Sequence, residues 1–374
     1  MEQPFIFGRS VTGQYFTDRE QETTKLVNNF KYGVNTILIS PRRYGKTSIV
    51  KRAIEKSRHE DLLIVFADIF SSRNPEEFCR IFADCLIKQT SSKIEEWVAD
   101  AKRFLSGLAP RFNISPDPMG EISFSFGIKP SPPDIDYILD LPEKIAKEKN
   151  KRIVVCIDEF QQIGEYPDSL HFQKILRTHW QHHQLSSYCL FGSKKHMMNE
   201  LFEKQSNPFY KFGDVINLKK INREHWVKYI LNRFKDTGKK IQPQIAEELC
   251  RLTDDYSSYV QQLALLLWFN FDETRQLESL KKSFEELLDH SSVLFEQQTQ
   301  NLSAYQMNFL KALIEGVENN FTKKEFLERY NLGTPGNLIR LKSSLIKKEL
   351  IDVAEGRYFI SDPVLKEWLK RRLY

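Results

Sequence analysis

The segment that most limits how this chain can fold is a phosphate-binding loop between an apolar strand and a helix. Residues 36–48 read Thr-Ile-Leu-Ile-Ser-Pro-Arg-Arg-Tyr-Gly-Lys-Thr-Ser, which fits the pattern G-x-x-x-x-G-K-[ST] except that Ser40 replaces the first glycine. The apolar run before the loop predicts a buried strand, and the apolar positions after it have helical spacing. A chance Gly-Lys-Thr in a strand–helix turn would not bring all three elements together. The sequence therefore predicts an anion site at a helix N-terminus.

The side chains of this loop predict nucleotide binding with a divalent cation. Gly45 can adopt the tight backbone that turns N–H groups toward phosphate oxygens, and Lys46 supplies a charge for the β- and γ-phosphates. The hydroxyl of Thr47 can ligate Mg²⁺. We therefore expect ATP and Mg²⁺ as cofactors. The candidate nucleotide-binding residues of the loop are Ser40, Pro41, Arg42, Arg43, Tyr44, Gly45, Lys46, Thr47 and Ser48.

An acidic pair follows a second buried strand. Residues 153–157 are all apolar, as expected of a parallel strand buried on both faces, and Asp158 and Glu159 come directly after them. In P-loop NTPases the first carboxylate holds Mg²⁺, and a neighbouring Glu can polarise the water that attacks the γ-phosphate. We therefore assign Asp158 with Thr47 to the metal and Glu159 to catalysis. The alternative is an ordinary acidic loop after a strand.

A third strand, over 187–192, ends in Ser193. In NTPases with a catalytic Glu, this strand lies between the strands of the other two motifs and places a polar residue near the γ-phosphate. Ser193 is the catalytic sensor candidate. It is equally suited to be the N-cap of the next helix, and the two roles are compatible.

Composition bounds the protein class. A chain of 374 residues with 41% hydrophobic residues is long enough for two or three domains. The N-terminus has no signal-peptide pattern, and no apolar stretch approaches the length of a membrane span, so we expect a cytoplasmic protein that does not enter a membrane. Five scattered cysteines without a C-x-x-C pair argue against structural zinc. His179, His182 and His183 are interpreted as a polar helix face.

The order of patterns predicts three domains. Residues 1–220 alternate strands and helices, as in an α/β P-loop domain with a parallel sheet, and a Pro-, Gly- and Ser-rich stretch at about 107–135 reads as a hairpin-like insertion. Residues 221–300 are an all-α lid, and 301–374 read as three helices and a wing, the winged helix-turn-helix arrangement. In detail, Asp18 is the expected N-cap of the first helix, one helix covers 137–149, and another starts at Thr322 with Glu325 as a capping box.

The C-terminal 73 residues are a candidate DNA interface. Residues 302–374 contain 13 Lys/Arg and 9 Asp/Glu, a modest basic excess. In a helix that starts at Thr334-Pro335, Leu338, Leu341, Leu345 and Ile346 form the buried face, and Asn337, Arg340 and Ser344 the opposite one. The expected DNA contacts are Arg340, Lys342, Lys347, Lys348 and Arg357. The alternative is that these cations are solvated and that the domain docks a protein.

Together these motifs resemble the STAND-related AAA+ ATPases, often called the archaeal-type ATPase family, over nearly the whole chain. The resemblance implies an AAA+ P-loop domain, a helical lid and a C-terminal winged helix. It also implies that Ser40 is tolerated in the loop and that the region around Phe16 and Arg19 lies near the adenine. The matching segments are residues 16–22, 40–48, 157–161, 191–193, 259–263 and 362–369.

The chain departs from the family pattern at two arginines. Many members carry Pro-Leu-Tyr-Gly-Arg before the last strand of the sheet, where the Arg is a candidate finger for a neighbouring subunit. Here residues 208–212 read Pro-Phe-Tyr-Lys-Phe, and Lys211 lacks the planar fork of an arginine. The lid helix that begins at Tyr256 carries no sensor-2 arginine. A slow switch is therefore favoured over an efficient ring motor.

The leading hypothesis is an ATP-binding protein and slow ATPase that acts as a nucleotide-dependent molecular switch, with a winged helix that docks DNA or a protein partner. One alternative is an initiator-like DNA-remodelling AAA+ ATPase. Another is a non-hydrolysing, nucleotide-stabilised protein-interaction module. The expected partners are ATP and ADP, duplex DNA through residues 302–374, a protein, and a second copy of the chain in a nucleotide-dependent homo-oligomer.

Overall fold

The computed structural model describes residues 3–91, 94–105, 112–116, 122–126, 131–319 and 321–373. The chain divides into two compact units. We call Arg19–Lys219 the sheet unit, and Met1–Asp18 with Lys220–Tyr374 the helical unit. The boundaries predicted at 220 and 300 for separate ATPase, lid and winged helix domains remain a prediction.

The sheet unit is built on five parallel strands in the order β2-β5-β6-β1-β7. Every residue of β6 is buried, as are all but the first of β5, because helices cover both faces of a parallel sheet. The order places the strand that precedes the loop two positions from the strand that ends in Asp158, with β6 between them, as predicted. The strands are β1 Thr36–Ile39, β2 Leu62–Asp68, β5 Arg152–Asp158, β6 Ser186–Gly192 and β7 Asp214–Asn217.

The helices of the sheet unit complete its core. Large aromatic side chains, among them Phe78, Phe160 and Trp180, are fully buried there. Part of the predicted insertion is an antiparallel pair, β3 Phe112–Pro116 and β4 Ile122–Phe126, and residues 106–111, 117–121 and 127–130 lie outside the described residues. The helices are α1 Glu20–Tyr32, α2 Lys46–Lys56, α3 Pro75–Thr90, α4 Ile94–Leu105, α5 Pro132–Leu139, α6 Leu141–Lys149, α7 Ser169–Trp180 and α8 Lys195–Glu203.

Two helix predictions in this unit were wrong. Asp18 is not the N-cap of α1, because Arg19 takes that position with a left-handed backbone (φ 74°). The helix expected over 137–149 is two helices, α5 and α6, with a break at Asp140. Pro142 lies in the first turn of α6, and a proline there has no N–H to continue the preceding helix.

The helical unit contains the predicted all-α region and the predicted winged helix. Its first four helices follow the expected order, and three further helices, a two-stranded wing and a final helix come next. The helices are α9 Arg223–Asp236, α10 Pro243–Leu252, α11 Ser257–Phe269, α12 Gln276–Thr299, α13 Ala304–Ile314, α14 Lys324–Arg329, α15 Pro335–Lys347 and α16 Pro363–Leu373, and the wing is β8 Ile351–Ala354 with β9 Arg357–Ile360.

The start of α15 was predicted correctly, whereas that of α14 was not. Thr334 caps α15 and accepts a hydrogen bond from the Asn337 N–H. The capping box expected at Thr322 and Glu325 is absent, because Lys323 is the N-cap of α14 and makes no side-chain capping bond. Extended backbone at Lys323 (φ −64°, ψ 137°) leaves Thr322 outside the helix.

Candidate active site

The phosphate-binding loop has the backbone that its sequence predicts. It follows β1, whose four residues are buried, and it ends at Gly45, the N-cap of α2, with φ 87°. A Cβ on Gly45 would meet no atom within 4 Å, so the glycine is needed for its conformation and not for space. Arg43 also has positive φ (69°). Turns of this kind gather backbone N–H groups into a concave anion site.

The end of α2 that faces the loop is arranged for an anion. Gly45 supplies no side-chain cap, and the first turn of the helix contains no acidic residue. Lys46 is only 6% exposed, and its ammonium donates to the carbonyl of Pro41 at 3.4 Å, which keeps the charge inside the loop. The partial positive charge of the helix N-terminus and the lysine therefore act on the same place.

Serine is tolerated at the first glycine position for a simple reason. The backbone of Ser40 does not have the positive φ that would favour glycine. The side chain is 1% exposed, and its hydroxyl donates to the carbonyl of Pro41 at 3.0 Å. Of the other predicted loop residues, Tyr44 and Ser48 are buried and Arg42 is exposed.

The two predicted metal ligands meet at the carboxyl edge of the sheet. The Thr47 hydroxyl donates to Asp158 Oδ2 at 2.8 Å, and the Glu159 N–H donates to Asp158 Oδ1 at 2.9 Å. Burial raises the pKa of Asp158 to about 6, against the opposing effect of the Thr47 hydrogen bond, and the neighbouring charge of Glu159 adds to the rise. The carboxylate is thus present at neutral pH but poorly solvated.

These residues fit a magnesium ion. A hydroxyl and a carboxylate 2.8 Å apart are oxygen ligands of the type that Mg²⁺ takes, and Mg²⁺ usually completes its octahedron with water and substrate phosphates. A buried anion with a raised pKa is stabilised by a cation beside it. We therefore retain Thr47 and Asp158 as the residues that would hold Mg²⁺.

Glu159 and Ser193 are brought together as expected. The Ser193 hydroxyl donates to Glu159 Oε2 at 2.9 Å across the ends of neighbouring strands β6 and β5. The alternative role of Ser193 as a helix N-cap was wrong, because Lys194 is the N-cap of α8. The backbone of Glu159 is left-handed (φ 55°, ψ 36°), which is costly for a residue with a side chain and is typical of functional sites.

One residue of this cluster, Gln161, was not among the predicted site residues. Its side-chain Nε2 donates to Glu159 Oε2 at 2.5 Å, the same oxygen that accepts from Ser193. The side chain is 1% exposed, unlike that of the neighbouring Gln162. A glutamine three residues after the metal carboxylate was visible in the sequence, but its burial was not.

The residues predicted near the adenine lie in different units. Phe16 belongs to the helical unit, where its N–H donates to the carbonyl of Gly13. Arg19 belongs to the sheet unit and is 4% exposed. Its guanidinium donates to the carbonyl of Lys219 at 2.5 Å and pairs with Glu22 at 3.0 Å. Their part in adenine binding remains a prediction.

The position of the family's candidate finger is occupied by a core side chain. Phe212 is 6% exposed and packs against Phe209 at 5.2 Å between ring centroids. The guanidinium of Arg177 lies over the Phe212 ring at 4.8 Å. Lys211 is exposed and has a left-handed backbone (φ 54°), and its ammonium lies 5.4 Å from the Tyr210 ring.

The histidine cluster is not simply a polar helix face. His179 contacts Asp140 at 2.7 Å and Asp136 at 3.1 Å, and His183 contacts Asp140 at 3.3 Å and the Tyr188 hydroxyl at 2.8 Å. The side chain of His183 is 4% exposed. Within the described ranges, no group of three His, Cys, Asp or Glu residues could hold a metal ion.

Fold and site together define a P-loop ATPase. Residues 16–266 match a family model described as an ATPase domain predominantly from Archaea, and residues 293–371 match a model described as a "probable winged helix domain". The chain belongs to this archaeal-type ATPase family, and it binds nucleotide. The resemblance to the archaeal-type ATPases inferred from the motifs is thereby confirmed.

Solved structures of similar fold extend over the whole chain. A Walker-type ATPase of Pyrococcus abyssi is 17% identical, with a TM-score of 0.69 over 98% of this chain and 99% of the other. The ORC2 protein of Aeropyrum pernix, solved as ADPNP–ADP complexes, is 14% identical, with a TM-score of 0.56 over 99% of both chains. At these identities the likeness concerns the fold. No curated protein matches the chain.

Over the ranges that the structure describes, no helix is both long enough and apolar enough to cross a bilayer.

Proposed function

We propose that the protein is a slow ATPase that acts as a nucleotide-dependent molecular switch, with the winged helix as its output. The observation that carries this proposal is the chain of contacts from Thr47 through Asp158 and Glu159 to Ser193 at one edge of the sheet. This set contains a metal-binding pair, a candidate base and a polar sensor, the parts that hydrolysis of a γ-phosphate needs.

Each residue has one task in this proposal. Lys46 and the N–H groups of the loop bind the phosphates, and Thr47 with Asp158 hold the cation. Mg²⁺, when bound, offsets the negative charge of the phosphates. Glu159 accepts the proton of the attacking water, and Ser193 orients its carboxylate.

The expectation of slow hydrolysis is supported by the side chain before β7. In GTPases, an arginine finger supplied in cis or by an activating partner protein contributes about 10³- to 10⁵-fold to kcat. Phe212, which stands at the finger position of the family pattern, is packed in the aromatic core. Without that cation, we expect turnover below about 1 s⁻¹, at or under the lower end of the usual range.

A role for the winged helix as output is supported by its attachment to the lid within the helical unit. The Tyr256 hydroxyl donates to the carbonyl of Ser361 at 2.5 Å, and the Tyr259 hydroxyl donates to Asp362 at 2.6 Å. Farther along, the Trp368 indole N–H donates to Ser292 at 2.9 Å. We infer that lid and winged helix respond to the nucleotide as one body.

The hydrolytic step is tested with Glu159→Gln. We expect this variant to bind Mg²⁺-ATP with wild-type affinity and to release phosphate at least about 100-fold more slowly, so that it accumulates in the ATP-bound state. The matched control is Glu165→Gln, since Glu165 is the last residue of the 3₁₀ helix Phe160–Glu165, which follows Glu159, but pairs with Lys194 at the surface. Equal phosphate release by Glu159→Gln and the control would refute the assignment. An inactive wild type that still binds ATP would favour the non-hydrolysing interaction module.

The switch is tested by light scattering coupled to size-exclusion chromatography, with ADP and with a non-hydrolysable ATP analogue. A mass that depends on the nucleotide supports a homo-oligomer controlled by ATP. The same mass in both nucleotides, together with an unchanged hydrodynamic radius, would contradict a nucleotide-dependent switch of assembly or shape.

Docking of duplex DNA by the winged helix is a second candidate function. Its support is the exposed surface of α15, where Arg340 and Lys347 lie, together with Arg357 in the wing, 67% exposed at its side chain. The contact expected from Lys342 has less support, because its ammonium lies over the Tyr358 ring at 4.4 Å in a half-buried position. Asn337 and Ser344 also make hydrogen bonds inside the domain.

DNA binding is measured by fluorescence anisotropy of a labelled duplex with the full chain. We expect affinity to fall steeply with salt. Arg340→Ala/Arg357→Ala should bind more weakly and with a shallower salt slope, because each lost phosphate contact removes both attraction and counterion release. Lys281→Ala/Lys282→Ala, an equal charge change on exposed positions of α12, is the control. Undetectable affinity at low salt would assign the winged helix to a protein partner, whereas ATP-dependent distortion of the duplex would favour the initiator-like alternative.

A further inference from the structure

We propose that Gln161 is a positioning residue for ATP hydrolysis, which holds the carboxylate of Glu159 through its side-chain amide. The inference rests on the hydrolytic role proposed above for Glu159. It concerns a residue that lies outside the P-loop, the acidic pair and the sensor position.

The amide and the sensor hydroxyl share one oxygen of Glu159. Gln161 Nε2 lies 2.5 Å from Glu159 Oε2, and Ser193 Oγ lies 2.9 Å from the same atom. Among the described residues, none donates a hydrogen bond to Glu159 Oε1. Two donors on Oε2 therefore fix the rotation of the carboxylate and leave Oε1 to accept a proton from water.

The carbonyl oxygen of the Gln161 amide shows that the hydrogen bond to Glu159 is made at the expense of stability. Gln161 Oε1 is buried and has no hydrogen-bond partner among the described residues. An unsatisfied buried carbonyl of this kind is destabilising, and it persists only where something else gains from it. A 180° rotation of the Gln161 amide would place its oxygen against the Glu159 carboxylate, which would repel it. The carboxylate therefore fixes the orientation of the amide.

Gly192, the last residue of β6, makes room for the amide. A Cβ at this position would lie 1.8 Å from Gln161 Oε1, closer than any two such atoms approach. The strand that carries Ser193 is therefore shaped to accept Gln161 beside it. The left-handed backbone of Glu159 is costly and persists only where the surrounding structure holds it.

The first test is Gln161→Met, which keeps an unbranched side chain and removes the donor. We expect kcat to fall about 10- to 100-fold, as for loss of a hydrogen bond to a charged group, while KM and the affinity for a fluorescent ADP analogue stay within about twofold. Gln162→Met, the same change one residue later, should leave all three quantities unchanged, since Gln162 contacts Glu165 at the surface. A role in packing alone would not separate kcat from KM.

Two further variants keep the test decisive if Gln161→Met folds poorly. Gly192→Ala keeps the amide of Gln161 but displaces it, so we expect the same loss of kcat. In the Gln161→Ala background, adding Gly192→Ala should lower kcat by less than it does in the wild type. In the Glu159→Gln background, Gln161→Met should have no further effect, because the residue acts through Glu159.

Two results separate the inference from the function it rests on. If the wild type hydrolyses ATP and Glu159→Gln does not, but Gln161→Met turns over at the wild-type rate, Gln161 has no positioning role and the proposed function stands. If Glu159→Gln hydrolyses ATP as the wild type does, the role of Glu159 fails, and that of Gln161 fails with it.

Discussion

Asp158→Asn should make the nucleotide-free protein more stable at alkaline pH while it removes the effect of Mg²⁺. Burial raises the pKa of this carboxyl from 3.8 to about 6. At 1.36 kcal/mol per pKa unit, the buried negative charge lowers the free energy of unfolding by about 3 kcal/mol above pH 7. Asparagine removes the charge and can keep both contacts, because the Thr47 hydroxyl accepts as well as donates.

The sign of the pH dependence follows from the raised pKa. Between pH 3.8 and about 6 the folded carboxyl binds more protons than the unfolded one, so the stability of the wild type falls as pH rises through this window. The penalty is complete above about pH 6. The gain from Asp158→Asn should therefore be about 3 kcal/mol at pH 8 and only about 1 kcal/mol at pH 4.5.

Thermal unfolding without nucleotide or Mg²⁺ is the assay, with the transition of the sheet unit followed at both pH values. A gain of about 3 kcal/mol corresponds to roughly 6 to 12 °C for a unit of this size. Asp168→Asn, the same change at an exposed position, should give no pH-dependent gain. On adding Mg²⁺-ATP, the melting temperature should rise in the wild type and much less in Asp158→Asn. The reasoning is refuted if Asp158→Asn is no more stable than the wild type at pH 8, or if its gain is the same at pH 4.5.

Three further variants test other parts of the molecule. Lys46→Ala should weaken ATP binding by about 100-fold, since a buried phosphate-binding cation is lost. The measurement is a titration with a fluorescent nucleotide. Lys56→Ala, at the far end of α2, is the control and should show no such loss. Tyr259→Phe removes a 2.6 Å hydrogen bond to Asp362. In denaturant titrations it should lower the free energy of unfolding of the helical unit by about 1 to 3 kcal/mol. Tyr305→Phe, at an exposed position, should not lower it. Phe212→Arg should lower the melting temperature of the sheet unit, because it buries a cation in an aromatic core. Faster hydrolysis with unchanged stability would contradict our placement of this side chain.

The sheet could be predicted from sequence because buried parallel strands are continuous apolar runs. Arg152–Asp158 and Ser186–Gly192 agree with the predicted strands to within one residue at each end. Helix starts were less predictable, since they depend on backbone conformation at one residue. Asp18 and Thr322 are good capping residues by composition, yet the left-handed backbone of Arg19 and the extended backbone of Lys323 moved both starts downstream.

The candidate site, like the fold, has one part that could be predicted from sequence and one part that could not. The approach of Thr47 to Asp158 and of Ser193 to Glu159 could be predicted, because each residue follows or lies near the carboxyl end of a buried strand, and such ends meet at one edge of the sheet. Gln161 was missed because its importance depends on Gly192, which is 31 positions away in the chain and contacts it only after β5 and β6 pair. No periodicity or spacing in the sequence expresses that fit.

Three unfavourable features of the sheet unit lie within the four residues from Asp158 to Gln161. Asp158 is a desolvated carboxylate, Glu159 has a left-handed backbone, and Gln161 leaves a buried oxygen unpaired. A cation bound beside Asp158 relieves the cost of its desolvated charge. This relief adds to the binding free energy of the cation, which a well-solvated carboxylate would not do. Relief at Asp158 reaches Glu159 directly, because the Glu159 N–H is bonded to the Asp158 carboxylate. The segment that would sense the metal is thus the one that carries the proposed base.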